Sequence, residues 1–253
     1  MKTFLILCLL ILTNVQIHVS AQHRNENRNS LFFVSTEFFQ IREADNLGMI
    51  FKGPKLSGGL IFEIPFDNDL LIYQIKAGLG PAFSRSMMSA HLEFKPVDIF
   101  YGFNLSNHHS AHFIGPDLKA EYNVEVYPYL HGGQPFWFTN YNLGIGYIYD
   151  IKSENYRIRF RLNLALLGLI SRPAHDRDPY WVNYGLWDII SQIHTNFKFY
   201  SVLNFKNTAL QVEVFPNSRN SSFSISYCIE YFGIAKEPVV NYLNQNIILK
   251  FSL

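Results

Sequence analysis

The chain has 253 residues, of which 48% are hydrophobic, 16% aromatic and 16% charged, with 21 basic against 20 acidic side chains. A formal net charge of +1 gives no electrostatic case for nucleic-acid binding, and two cysteines, Cys8 and Cys228, exclude a disulfide framework or a cysteine-rich metal site. The charged fraction lies well below the roughly 25% usual for soluble domains, so much of the surface is expected never to meet water.

Residues 1–21 carry the three parts of a secretory signal: Lys2, an apolar run from Phe4 to Leu12, and Val19-Ser20-Ala21 as the cleavage site. The run is too short for a helical anchor, which needs roughly 20 apolar residues. Cleavage is therefore expected, with Gln22 as the first mature residue. Loss of Lys2 leaves 20 basic and 20 acidic side chains, a net charge of zero. Residues 22–30 read as a polar, Asn/Arg-rich flexible leader, and 31–253 as a single domain, because no composition shift divides them.

Twelve strand-like segments follow in that domain: Leu31 to Arg42, Gly59 to Phe66, Leu70 to Ser84, Met88 to Lys95, Ile99 to Leu105, Leu118 to Tyr127, Phe136 to Ile151, Tyr156 to Ile170, Asn196 to Phe205, Thr208 to Phe215, Ser222 to Phe232 and Asn246 to Leu253. Turn residues separate them at Asp67-Asn68-Asp69, Lys95-Pro96-Val97-Asp98, His131-Gly132-Gly133, Lys152-Ser153-Glu154-Asn155 and Pro216-Asn217-Ser218-Arg219.

Within the segments, side chains alternate between an oily and a polar face. From Leu118 the residues Leu118, Ala120, Tyr122, Val124 and Val126 oppose Lys119, Glu121, Asn123, Glu125 and Tyr127. From Tyr156 the residues Ile158, Phe160, Leu162 and Leu164 oppose Arg157, Arg159, Arg161 and Asn163. Elsewhere the polar faces are small and sparsely charged, as at Gln74, Lys76, Gly78 and Gly80, or at Asn140, Asn142, Gly144 and Gly146. Such faces suit a crowded lumen better than a solvated exterior. The oily faces end in Tyr, Phe and Trp, the pattern of a bilayer interface. The expected fold is all-β, an antiparallel transmembrane β-barrel of about 12 strands, within a range of 10 to 14. A soluble secreted β-protein is the alternative architecture.

Three arginines in alternation need partners, and Glu63, Glu93, Glu121, Glu125, Glu213 and Glu230 all fall on polar faces. A lumen charge network of Glu121, Glu125, Arg157, Arg159 and Arg161 is expected to fill a narrow barrel, or else to line an ion-selective pore; desolvated charges must be paired in either case.

The C-terminus alternates to its last residue, with Ile247, Leu249, Phe251 and Leu253 on one face. This resembles the terminal assembly signal of bacterial outer-membrane barrels, which usually ends in an aromatic residue where this chain has Leu253. The whole mature chain, Gln-started and rich in Phe, Tyr and Asn, resembles outer-membrane proteins of Bacteroidetes-type bacteria. The resemblance implies residence in the bacterial outer membrane, with its lipids and the barrel assembly machinery as partners. It names no cofactor, and it leaves oligomeric state open.

Candidate chemistry is sparse. His108-x-Ser110, in the stretch from Asn104 to His112, is similar to the His-x-Ser pair of outer-membrane lipases and lipid A deacylases, with Glu121 as the group that would orient the imidazole and Asp117 nearer in sequence. In those enzymes the pair lies within a strand and is followed by Asn, whereas Ala111 and His112 follow here. His108 or His109 with His112 and Asp117 form an alternative metal-ligating set; no metal site is assigned. The long connection from Ser171 to Thr195 carries Trp181, Tyr184 and Trp187, which could stack on sugar rings or lie at a membrane interface. An even strand count places both termini on the periplasmic side, and counting twelve sends the His108 loop outside and the Trp181 connection inside. Three functional readings stand: a structural or ligand-binding barrel, an esterase acting on lipids, and a small ion-conducting pore.

Overall fold

A computed structural model describes residues 29–43, 49–66, 68–85, 87–105, 110–126, 135–172, 194–216, 223–235 and 239–253. The expected signal segment, most of the expected leader and the interior of the Trp181 connection lie outside the described residues. The strands are β1 (Asn29–Glu43), β2 (Ile50–Phe66), β3 (Asp69–Ser84), β4 (Met87–Asn104), β5 (Ser110–Val126), β6 (Pro135–Lys152), β7 (Tyr156–Ser171), β8 (Lys198–Ser201), β9 (Phe205–Pro216), β10 (Phe223–Ile234) and β11 (Val240–Ser252). Each pairs antiparallel with its neighbours, in the order β6-β5-β4-β3-β2-β1-β11-β10-β9-β7, and β7 pairs back onto β6. The sheet is a closed barrel of ten strands, with β8 outside the ring count. Closure leaves no long sheet edge to cover.

The expected twelve strands become ten plus one for two physical reasons. The Lys95–Pro96 stretch, read as a turn, is a β-bulge inside β4: register shifts by one residue against both neighbours, between Gln74 and Lys76 on β3 and between Phe94 and Val97 on β4. Proline cannot donate to the ladder, and a bulge is one of the few places where a strand tolerates it. The Tyr73 hydroxyl donates to the Pro96 carbonyl at 2.9 Å, which satisfies a group the bulge frees. The extra residue also resets the alternation, so that Lys95 and Asp98 are both buried. Secondly, β8 pairs with β7 at Leu167–Ile170 and β9 pairs with β7 at Tyr156–Leu164, so the segment read as a strand from Asn196 forms a short extension of the line that β9 follows.

Conversely, half of β2 was not expected as a strand. Ile50 to Gly58 pairs fully with β1, Arg42↔Ile50 to Val34↔Gly58, although it contains Gly53, Pro54, Gly58 and their breaker signals. Pro54 is exposed on the outer face, while Gly53 sits so close to β3 that a Cβ would lie 1.8 Å from the Pro81 carbonyl oxygen.

Ten strands place both termini at one end of the barrel. The connection holding 106–109 is at that same end, and the connection from 173 to 193 joins strands at the far end. Both placements are the reverse of those a twelve-strand count predicts. Connections at the terminal end are short, and the longest connection is at the far end.

Candidate functional site: the filled lumen

Alternation along each strand sends charged and polar side chains inward. On β7, Arg159, Arg161 and Asn163 are buried while Phe160, Leu162 and Leu164 are exposed. Inside, the side chains meet across the barrel. Arg159 Nη1 donates to Glu63 of β2 at 2.5 Å and its Nε to Asp150 of β6 at 2.9 Å; Arg157 also pairs with Asp150. Arg161 reaches Asp98 of β4 at 3.0 Å and Asp117 of β5 at 3.4 Å, and Asn163 donates to Asp117 at 2.5 Å. Lys95 of β4 lies 3.1 Å from Glu230 of β10. In a ring of ten, β4 and β10 stand five strands apart in either direction, and so do β7 and β2. The Lys95–Glu230 and Arg159–Glu63 pairs therefore span the full width of the lumen.

A second knot lies between β1, β2, β3 and β4. Lys55 is fully buried and pairs with Glu37 at 2.9 Å and with Glu93, and its ammonium donates to the Tyr242 hydroxyl at 2.8 Å. Lys76 reaches Glu37 at 2.7 Å and Glu93 at 3.4 Å, and Lys95 reaches Glu93 at 3.0 Å. Asn244 donates to Glu37 at 2.6 Å. Lys250 pairs with Glu213 at 2.6 Å. Opposite charges saturating one another in this way offset the cost of taking them out of water. Sequence reasoning missed Glu37, Lys55, Lys95 and Asp98, and set Lys119 and Lys250 on inward faces without naming them in the network. Lys55 lay in the half of β2 not read as strand, and Lys95 and Asp98 were hidden in the presumed turn; the alternation of Phe51, Gly53, Lys55 and Ser57 was the signal available.

The lumen is not polar throughout. Towards the far end Phe39, Ile41, Phe51, Phe136, Phe138, Phe205, Phe232 and Tyr242 form one apolar cluster, with the Phe138 ring stacked on Phe232 at 4.8 Å and 6.1 Å from Tyr242. Towards the terminal end Phe33, Ile61, Ile72, Phe100, Ile148 and Ile248 form another. Gly146 makes room for the Phe100 ring, which would lie 2.5 Å from a Cβ there. The Lys95–Glu230 pair lies between these two clusters, whereas Asp150 lies two residues past Ile148 and Glu63 two past Ile61 towards the terminal end, so that there charged and apolar side chains interleave, Arg161 lying over the Phe100 ring at 5.7 Å. The cavity bordered by Lys76, Lys95, Lys119, Arg161, Asp98 and Glu230 measures about 30 Å³, room for about two water molecules.

The catalytic set fares differently. His108 lies outside the described residues, and Ser110 is the first residue of β5. Glu121 lies eleven residues further along the same strand, about 36 Å at the ~3.3 Å rise of extended chain. Its carboxylate accepts from Asn123 at 2.8 Å and faces Lys95 at 3.7 Å. Glu121 is therefore a lumen residue and not the orienting group of a His108–Ser110 pair. Asp117 is buried while His112 is on the outer face, its ring stacked on Tyr149 at 4.6 Å and its Nδ1 2.7 Å from the Tyr147 hydroxyl; opposite faces of β5 cannot close on one metal ion. Glu125 holds His91 instead, at 2.5 Å from Nδ1, and accepts from Ser89 at 2.7 Å. This trio is walled by Phe39 and Tyr242, with the His91 ring 4.4 Å from that of Phe39. The serine hydroxyl is turned to the carboxylate, not to the imidazole, and His91 has no exposed surface. The group is a structural brace.

Trp181, Tyr184 and Trp187 lie outside the described residues. The chain leaving that connection runs over the outer wall: His194 meets Tyr122 edge-on at 5.5 Å, and Phe197 packs on Tyr141 at 5.6 Å. Partial burial there holds the His194 imidazole below its ordinary value.

No protein-family model matches the chain, and no curated protein sequence does. Solved structures do. The translocator domain of the autotransporter NalP from Neisseria meningitidis aligns with a TM-score of 0.42 at 6% identity, over 100% of this chain and 98% of that one. The outer membrane protease OmpT from Escherichia coli aligns with a TM-score of 0.43 at 8% identity, over 91% and 99%, and Neisserial surface protein A with a TM-score of 0.32 at 11% identity, over 90% and 100%. All three structural neighbours are bacterial outer-membrane proteins, and their names carry different activities or none. With TM-scores below 0.5, the question of function rests on this chain's own residues.

Proposed function

We propose that the chain is an integral outer-membrane β-barrel with a filled, non-conducting lumen, serving a structural or ligand-binding role at the bacterial surface. Its outer wall supports the membrane part of this reading. Among the described residues, the outward positions of the strands carry charge only near their ends: Arg42, Lys52 and Lys206 towards the far end and Asp69 at the terminal end. Between them stand exposed Leu56, Leu79, Leu92, Phe94, Leu118, Leu143, Ile145, Leu162, Leu210, Ile225 and Ile247. On β3 the outward run from Leu71 to Phe83 is twelve residue steps, about 40 Å of strand and about 30 Å in height at a tilt of ~40°. That matches the roughly 25 Å apolar band of an outer-membrane barrel with an aromatic girdle beyond it. Tyr101, Phe103, His112, Tyr147 and Tyr149 form such a girdle at the terminal end, where the Tyr101 hydroxyl donates to Asp69 at 2.8 Å.

The observation that carries the non-conducting part is the pair of salt bridges across the full width, Lys95–Glu230 and Arg159–Glu63, the first of them with an apolar cluster towards each end. The reading of a small ion-conducting pore would require these to part. The esterase reading keeps its His108–Ser110 pair but loses Glu121, and no observation in the barrel favours it. Reconstitution of the mature protein in planar bilayers tests the proposal. Silent membranes are expected with protein whose insertion is verified; stepwise, ion-selective conductance from the wild-type chain would overturn it.

A further inference from the structure

Three cations stand together on the outer wall at the far end. Lys52 of β2 pairs with Gln40 on β1 and with Phe83 on β3. Arg42 and Arg85 each lie two residues beyond those partners, so both are diagonal neighbours of Lys52, at roughly 7–8 Å between backbones. All three side chains are exposed. Arg85 occupies the tight connection after β3 with φ of 52°, in the left-handed region. Among the described residues no carboxylate is paired with any of the three, and none faces outward at this end. On the membrane side the patch continues into Phe38 and Phe83, 51% and 50% exposed. The opposite end is different, with exposed Lys152 and exposed Glu154 in one turn.

We propose that Arg42, Lys52 and Arg85 form a binding site for the net-anionic phosphate headgroup of a membrane lipid, with Phe38 and Phe83 receiving the start of its acyl chains. The inference rests on the membrane reading above. Cations at a membrane surface attract anionic headgroups, each contributing appreciably near the interface, and guanidinium groups match phosphate oxygens with paired donors. An apolar floor directly beneath the cations selects a lipid over a free anion.

The test titrates the detergent-folded mature protein with dioleoyl phosphatidylglycerol and, in parallel, with dioleoyl phosphatidylcholine, and reads lipid adducts by native mass spectrometry. The anionic lipid is expected to bind at least about tenfold more tightly. The R42Q/K52Q/R85Q variant is expected to bind both lipids alike while keeping its heat-dependent gel migration, and K152Q to behave as wild type. Excess inorganic phosphate is expected to leave the preference intact. Equal binding of the two lipids by wild type, an undiminished preference in the triple variant, or an equal loss in K152Q would overturn the site but not the barrel. Displacement by inorganic phosphate would reassign it to a free anion. Protein that stays soluble and shows no heat-dependent migration would overturn the membrane reading and the site with it.

Discussion

The inner and outer faces of β7 differ by one residue step and by everything else. Inward, Arg159 and Arg161 are buried in ion pairs with β2, β4, β5 and β6; outward, Phe160, Leu162 and Leu164 are exposed. A soluble β-barrel or sandwich keeps charge outside and oil inside. Here the placement of charge is inverted, while Phe39, Phe138, Phe205 and Phe232 pack inside as they would in a soluble core. The difference shows that the charges serve to fill space and to lock strands across the lumen, not to contact water. Burial in the lumen strengthens these ion pairs and raises the cost of leaving one incomplete.

The largest effect should come from breaking the inner face. Arg159→Met removes the only ion-pair partner of Glu63 among the described residues and one of two for Asp150, and is expected to cost about 3–5 kcal/mol. Urea titration of the vesicle-folded protein reads it, and the double variant R159M/E63L should recover most of the loss, because no orphaned carboxylate remains. Next comes the outer face: Leu162→Arg, at a position 48% exposed, is expected to cost about 2–4 kcal/mol in a bilayer and far less in micelles, where detergent adapts around a charge. Equal loss in both media would mean that Leu162 does not face lipid. The smallest is Tyr73→Phe, which strips the hydroxyl from the Pro96 carbonyl at the bulge and should cost about 1 kcal/mol in the same titration. That variant distinguishes an outer face held by lipid alone from one also braced by its own hydrogen bonds.

Much of this contrast could be read from the residues. The period-two pattern over Tyr156 to Leu164 is unambiguous because each face is chemically uniform for four residues. The pattern fails where a face changes character. Towards the far end both faces of β6 are apolar, Phe136 and Phe138 on one and Trp137 on the other, so nothing in the local sequence announced an aromatic closure of the lumen. Breaker residues misled twice in opposite directions: Pro96 suggested a turn and made a bulge, and Gly53-Pro54 suggested a loop and made half a strand. Both are tolerated because a long, fully paired strand absorbs one missing donor. Which charge meets which across the barrel was beyond local reading, since Lys95 and Glu230 are 135 residues apart and their meeting depends on tilt and register around the whole ring. The sides assigned to the two long connections followed from the strand count, and the one extra strand made by splitting β4 at Pro96 reversed both, since the second extra strand, β8, follows them in the chain.

The inversion of charge between the two faces is tested most directly by spin labels placed singly at Ile158, Arg159, Phe160, Arg161, Leu162 and Asn163 of the vesicle-folded protein, in a Cys228→Ala background. Accessibility to oxygen, which concentrates in the bilayer, is expected to rise at 158, 160 and 162 and fall at 159, 161 and 163, with a water-soluble nickel complex reaching none of the outward sites. Outward labels reached by the nickel complex and not by oxygen would show a solvated wall, and would contradict the membrane barrel.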